Sequence, residues 1–79
     1  MTTSHIEYAG LTIREGTERI GNETVPAWRV LENGANILPG ATWGRSEEEA
    51  LQLADVLLAV DRDPQKFWHL LRAIQRQGR

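Results

Sequence analysis

The chain has 79 residues, a net charge of −2, no cysteine, 41% hydrophobic residues and 25% charged residues. Its length predicts a single domain, residues 1–79, with a modest core. The absence of cysteine excludes disulfides and thiolate metal sites, and the N-terminal stretch does not match a signal peptide. We therefore expect a cytoplasmic domain with no segment that crosses a membrane.

The first part of the chain carries the patterns of β-strands. Ile6 and Tyr8 alternate with polar neighbours, and so do Leu11 and Ile13, but the phase slips by one residue at Ala9-Gly10. A single strand with a glycine bulge explains that slip, because a bulge adds one residue and re-aims the faces. Residues 24–32, TVPAWRVLE, predict a second strand, in which Pro26 suits an edge position or the first residues of the strand.

Asn33-Gly34 predicts a two-residue type I′ hairpin turn into a third strand. The resulting register pairs Glu32 with Ala35, Val30 with Ile37, and Trp28 with Pro39. One face then carries Trp28, Val30 and Ile37, and the other carries Ala27, Arg29, Leu31 and Leu38. Pro39-Gly40 is expected to interrupt the third strand, which resumes over residues 41–43.

Two helices follow. Ser46 as N-cap, with Glu49 three residues later, predicts a capping box at the start of the first helix. Asp63 as N-cap and Pro64 at the first helical position predict the start of the second, which Gly78 ends. The apolar stripes are Leu53, Ala54, Leu57 and Val60, then Phe67, Leu70, Leu71 and Ile74. The predicted fold is α+β: a three-stranded antiparallel sheet covered by two C-terminal helices, β-β-β-α-α.

Charge is distributed unevenly along the chain. Residues 1–61 contain ten acidic and four basic residues, a net charge of −6, whereas residues 62–79 contain five basic residues and one acidic, a net charge of +4. Such asymmetry can mark a binding end. It is equally explained by pairing of the basic helix with the acidic body, and the sequence leaves both interpretations open.

The C-terminal helix provides most of the candidate binding residues. Helix geometry places Trp68 about 110° from the centre of the apolar stripe, on the side of the basic residues. Tryptophan beside arginine is typical of protein-binding hot spots and can also stack a nucleobase, although Trp68 can instead fold back over the sheet edge or the interhelix corner. The candidate binding residues are Trp68, Arg72, Arg76, Lys66, His69 and, from the strands, Arg29.

The sequence offers no constellation for catalysis. His5 and His69 are far apart, and neither a metal-ligand spacing nor a glycine-rich phosphate loop is present. We therefore expect a protein that is not an enzyme and has no metal, cofactor or small-molecule substrate.

Residues 28–58 partly match two family patterns. Leu38-Pro39-Gly40, Gly44 and the run from Ser46 to Ala50 resemble the HicB-like antitoxins, in which a Leu-Pro-Gly precedes a capped helix. A second set resembles the three-stranded sheet plus helix of plant ethylene-response-type and phage-integrase arm-binding domains: Trp28, Val30, Gly34, Gly40, Thr42 and Glu48-Glu49-Ala50. Both resemblances imply a sheet followed by a helix.

The small size, the missing catalytic groups and the basic amphipathic helix favour an interaction protein. We expect an inhibitor, antitoxin or regulatory adaptor, of phage or mobile-element origin, that binds a protein partner or forms a homodimer. The alternative is a nucleic-acid-binding module that uses the basic C-terminal helix, with affinity that falls steeply with salt.

Overall fold

A computed structural model describes residues 5–77. Four strands come first: β1 (His5–Tyr8), β2 (Leu11–Ile20), β3 (Glu23–Glu32) and β4 (Ala35–Asn36). A 3-10 turn (Pro39–Ala41) leads to the helices α1 (Glu47–Ala59) and α2 (Pro64–Gln77). The α+β class is confirmed, with four described strands rather than three. The predicted end of the last helix at Gly78 lies outside the described residues.

The extra strand arises at Ala9-Gly10, where the predicted glycine bulge is wrong. These residues have φ angles of 52° and 82° and form a tight turn between β1 and β2. Successive positive φ angles reverse the chain in a hairpin, so Ile6 pairs with Ile13 and Tyr8 pairs with Leu11. All neighbouring strands are antiparallel, in the order β1-β2-β3-β4.

The Asn33-Gly34 turn is confirmed by φ angles of 52° and 83° and by the pairing of Glu32 with Ala35. The ladder extends to Ile37, whose N–H donates to the Val30 carbonyl at 3.1 Å. The predicted pairing of Trp28 with Pro39 is wrong, because the chain leaves the sheet through the 3-10 turn and Gly44 returns to Trp28.

The early end of β4 also changes which residues reach the core. Trp28, Val30 and Ile37 share one face as predicted, and the structure shows that this face packs on the core, with Val30 fully buried. Leu38 was predicted on the opposite face but is 4% exposed and belongs to the core. Its N–H donates to Asn36 Oδ1 at 3.1 Å, so strand alternation no longer applies at this position.

Both predicted helix caps are confirmed. Ser46 Oγ accepts the N–H of Glu49 at 3.1 Å, and the Glu49 carboxylate accepts the N–H of Arg45 at 3.0 Å. Asp63 Oδ1 accepts the N–H groups of Gln65 and Lys66 at 3.0 and 3.1 Å. These bonds satisfy backbone donors that have no partner within a first helical turn.

The two helices do not cover the sheet equally. α1 packs directly on β2 and β3, whereas α2 packs chiefly on α1. The prediction that both helices cover the sheet therefore needs correction: α2 reaches the shared core through Phe67 and Leu71. From the other layers the core contains Leu11, Ile13, Val30, Leu38, Ala50, Leu53, Ala54, Val56 and Leu57.

Candidate functional site

A groove opens where the Gly40–Arg45 segment meets the two helices. Its volume is about 560 Å³. The N-terminal half of α1 lines it with Glu49, Gln52 and Leu53, and α2 lines it with Trp68, Leu71 and Gln75. Trp43 and Arg45 complete the wall from the connecting segment. We call this surface the tryptophan groove.

Trp68 lies in the groove because a glycine leaves room for its ring. Gly40 has a φ of 66°, and a Cβ on this residue would lie 3.2 Å from Trp68 Cζ2. On its other side the ring meets Phe67 edge-on, with centroids 5.0 Å apart. Trp68 is nevertheless 37% exposed. Its ring is thus held in place by Phe67 and the Gly40 turn while part of its surface remains available for binding.

Trp43 and Arg45 are groove residues that the sequence analysis missed. They flank Gly44, which pairs with Trp28 and so holds this segment along the edge of β3. The available signal was the glycine between Trp43 and the capped helix. Only the fold shows that this segment and Trp68 meet.

The basic residues of α2 lie on exposed surface. Lys66, Arg72 and Arg76 form no ion pair with any residue in the range 5–77. Arg62, just before α2, does bind the acidic body: its Nη1 and Nη2 donate to the Glu32 carboxylate at 2.7 and 2.9 Å. Between the two open interpretations of the basic segment, pairing with the body therefore accounts for Arg62 and for none of the three bases within α2.

Lys66 and His69 lie on the flank of α2 away from Trp68. They border a shallow groove of about 500 Å³ that also includes Val60, Leu70 and Ala73. The predicted set on α2 therefore divides, with Trp68 on one flank and Lys66 and His69 on the other. Arg72 and Arg76 are exposed between these flanks.

Arg29 does not join the other candidates. Its Nη2 lies 2.7 Å from Glu18 Oε2, and both side chains project from the face of the sheet opposite the helices. Alternation along β3 directs Arg29 away from Val30 and the core. Arg29 therefore lies apart from the candidate residues on α2, and a binding role for it stays a prediction.

Two further contacts join the sheet to α1 and to the turn between the helices. The Tyr8 hydroxyl donates to the Asp55 carboxylate, and this bond, with the negative charge of Asp55, raises the pKa of Tyr8 above its ordinary value of 10.0. The hydrogen bonds from Arg62 lower the pKa of Glu32 below its ordinary value of 4.5. Neither pair lines the tryptophan groove.

Within the described part of the chain, no group of three or more histidine, aspartate or glutamate side chains is placed to hold a metal ion. Across residues 5–77, no helix is long and apolar enough to cross a membrane.

Comparison with known proteins finds no matching family model, no matching curated protein and no matching solved structure. The resemblances to the HicB-like antitoxins and to the integrase arm-binding domains therefore stay predictions.

Proposed function

We propose that this chain is a small non-enzymatic interaction module that binds a protein partner through the tryptophan groove. The observation that carries the proposal is Trp68, whose ring is braced by Gly40 and Phe67 yet 37% exposed. Tryptophan is enriched at interface hot spots, and a ring already held in position loses little entropy on binding. Inhibitors, antitoxins and regulatory adaptors are the roles that such a module would serve.

The rest of the groove suits a protein partner. Trp43 adds a second aromatic side chain, and Gln52 and Gln75 provide amide donors and acceptors beside it. Arg45 adds a cation at the rim. Aromatic surface with polar side chains around it is typical of protein interfaces.

Site-specific photo-crosslinking tests the proposal. A photoreactive amino acid at Gln75 is placed in the groove, and a matched probe at Thr17 lies on the sheet away from it. We expect a protein adduct from position 75 in cells that naturally contain the chain, none from position 17, and loss of the adduct in Trp68→Ala. Equal adducts from both positions, or no protein adduct from position 75, would contradict the proposal.

Nucleic-acid binding is the second candidate. It is favoured by the three exposed bases of α2, Lys66, Arg72 and Arg76, which have no acidic partner within residues 5–77. The acidic α1 beside them opposes the approach of phosphate. Titration of the protein into labelled single- and double-stranded DNA and RNA tests whether the chain binds nucleic acid. Binding that weakens steeply with salt and with Trp68→Ala supports this candidate. The absence of binding at low salt excludes it.

A further inference from the structure

The helical layer, formed by α1 and α2, is divided by charge. α1 contains four acidic residues and no basic residue, whereas α2 contains three basic residues and no acidic residue. Glu48 and Gln52 of α1 are exposed, as are Arg72 and Arg76 of α2. One surface of a single chain therefore presents an acidic helix and a basic helix side by side.

The acidic and basic residues lie at similar positions along the helix axes. A turn of four residues, 60–63, joins α1 to α2, and so short a connection favours antiparallel neighbours. The N-terminal half of α1 and the residues Trp68, Leu71 and Gln75 of α2 line the same groove, which agrees with that arrangement. It brings Glu48 and Gln52 to about the level of Arg72 and Arg76. No ion pair joins the helices among residues 5–77. The complementary charges remain available to a second molecule.

We propose that the partner of this face is a second copy of the chain, packed helical layer against helical layer. The two-fold axis runs parallel to the helices, above the groove between them. Rotation about that axis places α1 of each copy over α2 of the other. It leaves the position of every residue along the axis unchanged, so Glu48 of one copy meets Arg72 and Arg76 of its partner. This inference rests on the proposed function, because it names the partner that the groove residues would contact.

The same geometry lets Trp68 contribute to the interface. Its ring lines the groove that both helices border, packs beside Gly40 and is 37% exposed, so its exposed part is open to contact with the partner's helices. Tryptophan is enriched among interface hot spots. The contact is isologous, and each helix lies antiparallel to both helices beside it, as in a four-helix bundle.

The size of the face determines how tight the dimer should be. Helices of 13 and 14 residues are about 20 Å long and pack about 10 Å apart, so the layer presents roughly 400 Å² in projection. That is a small interface by the standards of stable complexes. We expect a dissociation constant of about 10 to 100 μM at low salt, weakened at least tenfold by about 0.5 M salt.

Sedimentation equilibrium with a charge swap tests the dimer. One variant makes the layer acidic (Arg72→Glu with Arg76→Glu), and the other makes it basic (Glu48→Lys with Gln52→Lys). Each variant alone should be monomeric at concentrations where the wild type dimerises. An equimolar mixture should form a heterodimer, and a chain with all four substitutions should form homodimers again. Trp68→Ala should weaken the wild-type dimer at least tenfold.

The control reverses charge at the exposed tip of the β2–β3 hairpin. Arg19→Glu with Glu23→Lys alters two exposed residues outside the helical layer, so this variant should dimerise like the wild type. Circular dichroism checks that each variant is folded. The check is needed because Glu48→Lys places a positive charge in the first turn of α1, where the helix dipole disfavours it.

Any of three results would overturn the proposal. The first is a wild-type chain that stays monomeric up to 1 mM at low salt, about a hundred times the lower end of the expected range of dissociation constants. The second is a pair of folded charge variants that do not associate when mixed, and the third is a dimer whose dissociation constant changes neither with the charge swap nor with Trp68→Ala. The first result together with a groove adduct to another protein would reject the homodimer and retain the proposed function. Failure of the crosslinking as well would reject both.

Discussion

Gly44 and Trp28 exchange two backbone hydrogen bonds, each with an N···O distance of 2.7 Å. This pair ties the segment that enters α1 to the middle of β3 and so determines where the helix begins over the sheet. It also holds Trp43 and Arg45 at the wall of the tryptophan groove. The site and the fold therefore share one backbone contact.

Gly44→Ala should destabilise the domain. A Cβ at this position would lie 2.7 Å from the Ala50 backbone nitrogen and 3.0 Å from its Cα, and these backbone atoms can move only with α1. We expect a loss of about 1–3 kcal/mol in the free energy of unfolding, measured by urea titration.

Gly16→Ala is the matched control for Gly44→Ala. Its added Cβ would lie 3.0 Å from Arg29 Nη1, the end of a flexible side chain that can move aside. Its unfolding midpoint should therefore stay closer to that of the wild type. Equal urea midpoints for Gly44→Ala and the wild type would show that the close approach to Ala50 is not a constraint.

Ala9→Asn should stabilise the domain. Ala9 has a φ of 52°, a left-handed conformation that alanine adopts unfavourably and asparagine tolerates. Asparagine before Gly10 also matches the preferred sequence of a type I′ turn. We expect a gain of about 0.5–1 kcal/mol, seen as a rise in Tm of several degrees. Ala59→Asn, at an exposed position in α1, should lower Tm because asparagine is the poorer helix former.

The hydroxyl of Tyr8 should lose its proton only above pH 10. Asp55 raises the pKa of Tyr8, so the contact contributes stability below the ordinary value of 10.0 and loses it as pH rises through the higher folded value. Tyr8 is the chain's one tyrosine, so phenolate absorbance reports it directly. Asp55→Asn should bring the midpoint back towards 10.0. A wild-type midpoint at or below 10.0 in the folded protein would refute the contact.

The ion pair between Glu32 and Arg62 should stop stabilising the fold in acid. Arg62 lowers the pKa of Glu32, so the pair stabilises the fold above the ordinary value of 4.5 and ceases to do so as pH falls through the lower folded value. A double-mutant cycle with Glu32→Gln and Arg62→Ala should give a favourable coupling near neutral pH. That coupling should shrink with salt. It should disappear as pH falls through the lowered folded pKa of Glu32. An undiminished coupling at low pH would exclude an ionic origin.

Local signals in the sequence were sufficient for several elements. Ser46 and Asp63 cap their helices, and Asn33-Gly34 turns the chain, because each effect depends on residues only a few positions apart. At Ala9-Gly10 the local pattern led to a wrong prediction. A slip in alternation is produced equally by a bulge and by a tight turn, and pairing between strands decides which one forms.

The sequence by itself determined the α+β class, both helix starts, the apolar stripes and the division of charge between the two halves of the chain. Tertiary structure decided what these features contact: Leu38 in the core, Gly44 beside Trp28, Arg29 on the far face and Trp68 against Gly40. The physical reason is the separation, along the sequence, of the residues that interact. Caps, turns and periodicity arise from neighbours along the chain, whereas a groove is formed by segments that only packing brings together.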